Sequence, residues 1–494
     1  MLSKTTLTKT NFIQFLNCPK SLWLLKNKPG DCPDGEFSLF LEKLIKDGYE
    51  VEEYAMQLFS GGIDLGDRST TEETTKALDG DEKVFFQASF ETEDGVFARV
   101  DVLEKNEDGS LNIYEVKSST SVKKDKKHNH VKDACFQKYV LEKSGYEVKD
   151  VYIIHLNKDY VRNGEIDPHS FLEKVDIKED IDEVYESVVG NIGAAVELLQ
   201  KDSVSESSCS CKTKTKSNHC DTFRYFNKEM PEYPIYHLNN IREPRILKLL
   251  DEGLLDLVDV HSECGLSEKQ MLHVQSVKSK ETIIDHGAIE EKLDKLKFPL
   301  HFIDYETFPS AVPKIDGTKP HQQVPFQVSI HTMNRDGDIE HFEYLLDKFE
   351  LPRDMVKSMK DFTGLDGTFI SWHASFEKSR NKEMVEMFPE YADYLAYMNN
   401  KMFDLKEIFS DGDYVDYRFN GSNSIKHVLP VLVSELSYKT LEVRDGTMAL
   451  DLWGRMVMDK DFNKDKDSAR EDLLEYCKMD TWAMVEIYRF LKDL

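Results

Sequence analysis

Two carboxylates inside an otherwise apolar strand pattern constrain this chain more than any other stretch. In Phe302-Ile303-Asp304-Tyr305-Glu306-Thr307-Phe308 the acids are two residues apart, so strand geometry turns both to one face. A buried strand bears two like charges on one face at a heavy cost unless a cation neutralises them. The stretch therefore points to a metal-centred site on a sheet. Two later segments suit it: Glu377 closes His373-Ala374-Ser375-Phe376-Glu377 at the end of a short strand-like run, and Tyr476 and Asp480 stand i and i+4 on a predicted helix over 473–491. A capping box, Ser468-Ala469-Arg470-Glu471, is expected to open that helix. Asp404 is a second candidate for the acid at Glu377.

A second constellation lies in the first third. Strands are expected at 84–90, 96–103 and 111–116, the last two joined as a hairpin through Asn106-Glu107-Asp108-Gly109. Glu115 and Lys117 then share a face, and the hairpin brings Asp101 to the neighbouring strand. A carboxylate pair beside a lysine suits phosphodiester hydrolysis: the acids hold Mg2+ or Mn2+, the metal lowers the pKa of bound water, and the lysine offsets charge on the phosphate. Downstream come Lys123, Lys124, Lys126, Lys127 and Lys132 with Asp125 against them, then Gln137 on a predicted helix over 131–143 and a strand at 151–156. Upstream, 37–59 has helical spacing interrupted at Asp47-Gly48, and ends at Gly61-Gly62.

Composition sets the limits. With 494 residues, and domains of about 150 residues as the norm, the chain holds roughly three units. Lys and Arg number 64 against 92 Asp and Glu, a net charge of −28, which favours solubility and disfavours a sequence-blind polyanion binder working through net charge. There is no run of 18 apolar residues and no apolar core near the start, so a cytoplasmic protein without a membrane partner is expected. In that compartment cysteines are free, catalytic or metal-bound rather than paired. Cys18, Cys209, Cys211 and Cys220 form a plausible quartet for a [4Fe-4S] cluster, with Zn2+ as the alternative and His219 as a substitute ligand. Cys32, Cys135, Cys264 and Cys477 are read as ordinary thiols.

The string Asp101, Glu115-Val116-Lys117, Gln137-Lys138-Tyr139 resembles the RecB-like branch of the PD-(D/E)XK nucleases. The resemblance implies a restriction-endonuclease-like fold, with Lys117 and Gln137 in catalysis and Glu52 joining Asp101 and Glu115 as a metal ligand where the family commonly has histidine. Leu141 stands where the family has tyrosine. The one-plus-three cysteine split is similar to the iron-sulfur members of that branch, although Cys209-Ser210-Cys211 is tighter than their usual spacing. In the C-terminal part, Asp304-Tyr305-Glu306, the segment ending at Glu377, and Tyr476-Cys477-Lys478-Met479-Asp480 resemble the DEDD exonucleases of the RNase H-like fold, tyrosine subclass. That resemblance implies two metal ions held by Asp304, Glu306, Glu377 and Asp480, with Tyr476 orienting water.

The expected organisation is α/β throughout: a RecB-like unit with its four-cysteine site over 1–225, a helical connector over 226–297, and an RNase H-like unit over 298–494. The combination resembles an uncharacterised bacterial family that fuses these two nuclease types. It implies a metal-dependent nuclease with two active sites on DNA ends or single strands, RNA being left open, and 3'-5' exonucleolytic in its C-terminal part. A nucleic-acid-binding scaffold with one or both sites inactive is the alternative, and an enzyme on small nucleotides a third reading.

Overall fold

The computed structural model describes residues 6–32, 39–125, 129–459, 462 and 465–494; Lys126, Lys127, the opening five residues and the start of the helix expected from 37 lie outside them. The chain divides into two compact units, Met1–Met230 with Ser310–His321, and Pro231–Pro309 with Gln322–Leu494. Residues 231–297, set apart above as a connector, cluster with the second unit. Both units are mixed α/β, and among the described residues no helix is long and apolar enough to cross a membrane.

The first unit is built on a seven-stranded sheet. Its strands are β1 (Leu7–Thr8), β2 (Ile63–Asp64), β3 (Val84–Glu91), β4 (Val96–Lys105), β5 (Leu111–Lys117), β6 (Val148–Leu156) and β7 (Leu172–Asp176), in the order β2-β3-β4-β5-β6-β7 with β1 paired to β4. The expected hairpin is β4–β5, antiparallel with Val102 opposite Tyr114, while β5 and β6 run parallel. Alternation sorts the side chains cleanly. Phe85, Leu103, Ile113 and Ile153 join the core beneath helices His130–Lys143 and Lys178–Leu199, and Phe86, Val102, Tyr114 and Ile154 join one with Val51 and Ala55 of helix Leu39–Met56. Sheet and helices thus form three layers, with each buried aromatic contributing about 1.5–3 kcal/mol. Asp101, Glu115 and Lys117 share the parity of Leu103 and Ile113, which turns them toward helix His130–Lys143. Helix Leu39–Met56 runs through Asp47-Gly48 without a break. Ser310–His321 adds Ala311 and Val312 to the same core, and Arg162 donates to the Pro313 carbonyl over 2.7 Å.

The second unit holds β8 (Ile283–Ile284), β9 (Leu300–Phe308), β10 (Val324–Met333), β11 (Ile339–Leu345), β12 (Thr368–Ser371), β13 (Met402–Asp404) and β14 (Tyr414–Val415). Its main sheet has the order β11-β10-β9-β12-β13: antiparallel from β11 to β9, parallel from β9 to β13, so β9 is central. Ile303 and Tyr305 of β9 pack with helices Arg353–Thr363 and Ala392–Asn400. Phe302 and Phe308 pack on the opposite face with helices Gly446–Met458 and Lys466–Lys492. A Cβ at Gly454 would lie 2.7 Å from the Phe308 ring, so only glycine lets helix Gly446–Met458 approach this closely.

The C-terminal helix begins at Lys466 with Asp465 as its N-cap, three residues before the cap expected at Ser468. Asp465 accepts from the Asp467 amide and so supplies the capping bond itself. A polar seam fixes the helix on the sheet: Gln327 donates to the Leu473 carbonyl over 2.7 Å, and Ser329 and His331 each lie 2.8 Å from the Thr481 hydroxyl.

Candidate metal centres

Three sites emerge among the described residues, and the sharpest is on β9. Asp304 and Glu306 share the face of Phe302 and Phe308, the face covered by the C-terminal helix. That helix presents Tyr476 and Asp480 one turn apart, and the polar seam sets its position along the sheet. Carboxylate oxygens of Asp304, Glu306 and Asp480 consequently lie within 4.8 Å of one another. They line a cavity of about 300 Å³ together with Glu377, Tyr476, Trp372, His373 and Lys426.

The electrostatics are those of a site lacking counter-charge. Burial, then Asp480 and Glu306, push Asp304 well above the usual carboxylate range. Burial and Asp480 lift Glu306 to about 8, and burial lifts Asp480 to about 6 although Tyr438 donates to its Oδ1 over 2.6 Å. The Cys477 thiol lies 3.8 Å from Asp304 Oδ2. Three oxygen-donor groups in this arrangement suit a hard divalent cation such as Mg2+ or Mn2+.

Glu377 departs from its expected placement. The strand ends at Ser371, and Glu377 sits in the first turn of helix Ser375–Met387, 2% exposed, with Oε2 buried and without a hydrogen-bond partner. Burial raises it to about 7. Asp404, the other candidate, spends its oxygens on the amides of His373, Ala374 and Lys406, at 2.9, 3.1 and 3.1 Å. It shapes the turn that carries His373, whose φ of 80° is left-handed and strained for a residue with a Cβ.

In the first unit, the site predicted on the hairpin is assembled but differently charged. Glu115, 1% exposed, meets Lys117 at 2.7 Å and Lys9 at 2.5 Å through Oε1, while Gln137 donates to Oε2. Lys117 also pairs with Asp133 at 2.7 Å, and Asp101 accepts from the Val116 amide over 2.8 Å. Although burial would raise Glu115, Lys117 and Lys9 hold it below the usual range. Burial with the charge of Glu115 lifts Asp101 to about 7; burial with Asp101 and Glu115 lifts Glu52 to about 8. Glu52 accepts from Gln87 over 3.1 Å, and Gln87, opposite Asp101 across β3–β4, has a left-handed φ of 57°. Thr8, Lys9, Glu52, Gln87, Arg99 and Asp101 line a cavity of about 500 Å³. Glu52, Asp101 and Glu115 do not form a cluster as tight as the one on β9.

Sequence spacing missed Lys9, which lies 106 residues from Glu115, and Tyr438, 42 residues from Asp480. Asp133 was findable: it stands i, i+4 from Gln137 and so shares its helix face.

The four cysteines form the third site. Pro19 at the first helical position disfavours helical backbone at Cys18, which is extended (φ −159°, ψ 103°) between helices Lys9–Asn17 and Pro19–Asn27. The loop from 209 to 220 approaches this break, where Lys214 donates to the Asn17 carbonyl over 2.6 Å and Lys20 to the Ser208 carbonyl. The sulfurs of Cys18, Cys209, Cys211 and Cys220 all lie within 4.8 Å of one another and could bind a metal. Three neighbouring sulfhydryls hold the Cys18 thiol below its ordinary range, while Cys211 and Cys220 are pushed up, since four close thiols do not all ionise without a cation. His219 instead contacts the Lys214 carbonyl at 3.2 Å and stacks on Phe223.

Comparison with known proteins adds no assigned activity. Residues 301–424 match a family described as a domain of unknown function, DUF2779; this stretch includes Asp304, Glu306 and Glu377 but not Tyr476 or Asp480. The chain is similar to Uncharacterized protein UU173 of Ureaplasma parvum, 28% identical over 230 residues, covering 42% of this chain and 33% of that protein. It is also similar to the Uncharacterized protein MG366 homolog of Mycoplasma pneumoniae, 30% identical, and to Uncharacterized protein MG366 of Mycoplasma genitalium, 24% identical; these cover 40% and 41% of this chain and 33% of each relative. The chain thus spans about a third of the length of the curated relatives it matches.

Proposed function

We propose that the chain is a metal-dependent nuclease acting on DNA ends or single strands, with its hydrolytic centre at Asp304, Glu306 and Asp480. The observation that carries this reading is the convergence of those three carboxylates within 4.8 Å, on a central strand and a helix distant in sequence. Their oxygen donors and mutual repulsion fit divalent cations, and Glu377, with its unpartnered Oε2 in the same cavity, is a further ligand. When bound, such ions activate a water molecule and neutralise charge on the phosphate. Tyr438 orients Asp480, Lys426 supplies positive charge to Glu306 and Asp480, and Tyr476 is placed in the cavity to orient water. The central β9 with its two acids supports an RNase H-like, DEDD-type unit, for which 3'-5' exonucleolysis is the corresponding reaction.

For the first unit, the hairpin carrying Asp101, Glu115 and Lys117 supports a PD-(D/E)XK-type site. The two lysines on Glu115 favour a second reading there: a nucleic-acid-binding scaffold that does not itself cleave. At the cysteine site, the 4.8 Å limit on sulfur separations favours one tetrahedral ion over a [4Fe-4S] cube, whose four irons hold their thiolates further apart. With Zn–S near 2.3 Å, a tetrahedron has edges of about 3.8 Å. Metal analysis of anaerobically purified protein separates the two: stoichiometric zinc without visible charge-transfer absorption supports the single ion, and iron with sulfide refutes it.

Degradation of 5'-labelled single-stranded DNA with Mn2+, beside Lys117→Ala and Asp304→Ala, tests the main reading. Loss of a distinct product ladder in Asp304→Ala supports it. Intact DNA and RNA with the unaltered protein would sink it.

A further inference from the structure

We infer that the second unit carries an accessory site for a nucleoside 5'-monophosphate moiety, built from the helical segment 239–273 and the 409–423 stretch. It deepens the nuclease reading, on which the choice of a nucleotide over another planar anion rests. Two cavities share Asn240 and Gln270 as a common wall. The first, about 320 Å³, has an apolar side formed by Phe409, Tyr414 and Phe419.

His273 also lines this cavity; it is 7% exposed, and neither ring nitrogen has a hydrogen-bond partner. A buried imidazole without partners is costly, and its exceptional state calls for a reason. Burial lowers it to about 4, so at neutral pH it offers one N–H donor and one acceptor, the complement of a nucleobase edge. The acid in the wall, Asp416, is already engaged by Arg418 at 2.5 Å and by Thr282 at 2.8 Å.

The second cavity, about 590 Å³, is lined by Arg242 and Arg245 at the start of helix Glu243–Asp251 and by Lys248 in its last turn. Arg245 donates to the Cys264 carbonyl over 2.6 Å, and Lys248 lies 3.7 Å from Glu252, which leaves Arg242 at the helix N-cap as the exposed guanidinium. Two arginines beside a helix N-terminus, with Lys248 further along the same cavity wall, favour a phosphate, and in a chain of net charge −28 their grouping is local. A base in the aromatic cavity with its phosphate in the cationic one satisfies both. The size of each cavity falls within the range of small-molecule sites.

The test uses the whole 494-residue chain with Asp304→Asn, which disables the carboxylate centre, and no added divalent ion. Calorimetric titration with the four ribonucleoside 5'-monophosphates is expected to give saturable binding for at least one. The matching nucleoside and inorganic phosphate should each bind roughly tenfold more weakly or worse, and Arg242→Glu with Lys248→Glu should cost the monophosphate a similar factor without weakening the nucleoside. In the protein without the charge reversals, the His273 ring resonances shift with nucleotide and nucleoside but not with phosphate, a readout that needs no core substitution. Competition by a 5'-phosphorylated single strand identifies the strand as the source of the moiety, and its absence identifies the free nucleotide. No saturable binding of any monophosphate, or binding that ignores the charge reversals and leaves His273 unshifted, overturns the site. DNA cleavage by the unaltered chain without nucleotide binding removes this site and leaves the nuclease reading standing; binding without cleavage does the reverse.

Discussion

In the first unit a fully buried carboxylate, Glu115, is met by Lys9, Lys117 and Gln137; in the second, Asp304, Glu306 and Asp480 face one another, and the cation acting on them, Lys426, donates to the Arg444 carbonyl instead. One arrangement supplies its own counter-charge and the other leaves charge to be balanced from outside. The contrast shows why two groups of acids, each carried on a sheet, need not do the same chemistry. Glu115 is held in its charged form by protein cations, whereas the β9 cluster gains its full charge only with a bound ion.

The largest effect that would break this comparison is on catalysis. Asp304→Asn should lower Mn2+-dependent cleavage on the order of 100-fold or more, because removing even an indirect partner of a metal ligand costs 10–100-fold. Single-turnover cleavage of labelled DNA measures it, and equal loss in Glu115→Gln alone, with Asp304→Asn active, would move the centre to the first unit.

Next is stability. Lys117→Met leaves Glu115 and Asp133 short of a cation and should destabilise the first unit by about 3 kcal/mol, the cost of breaking a buried pair. Asp480→Asn should instead leave the metal-free second unit unchanged or more stable, since it removes repulsion. Chemical denaturation resolves both, and comparable destabilisation by the two variants would remove the distinction between the sites.

The pH dependence sharpens it further. Asp304 and Glu306 are raised in the folded protein, Glu306 from 4.5 to about 8, so the folded state holds more protons than the unfolded chain. Their contribution is complete below the unfolded pKa and is lost as pH rises through the folded one. Glu115 is depressed and has the opposite sign, its contribution being lost as pH falls below 4.5. Added Mn2+ should therefore raise the melting temperature more at pH 8 than at pH 6, and an equal shift at both would contradict the charge balance drawn for β9. The smallest expected effect is Tyr438→Phe, which removes the donor to Asp480 and should cost about 1 kcal/mol in metal affinity, read by Mn2+ titration.

Much of the scaffold was legible because it is local. Alternation located β3, β4, β5, β6 and β9 to within a few residues, and the same period put Glu115 with Lys117 and Asp304 with Glu306 on common faces. Helix spacing paired Tyr476 with Asp480 in the same way. Boundaries were less secure: Glu377 proved to be helical, the C-terminal cap moved to Asp465, and the segment 231–297 joined the second unit through β8 pairing with β14.

By itself the sequence determined which side chains share a face, since parity and helical turn are set by neighbours along the chain. Only the tertiary structure decided what those faces meet. Lys9 reaches Glu115 because β1 pairs with β4, Asp480 reaches Asp304 because a polar seam fixes a helix on β9 and β10, and Cys18 meets three cysteines some 190 residues later. Such contacts depend on strand order and register, which one residue's neighbours do not encode.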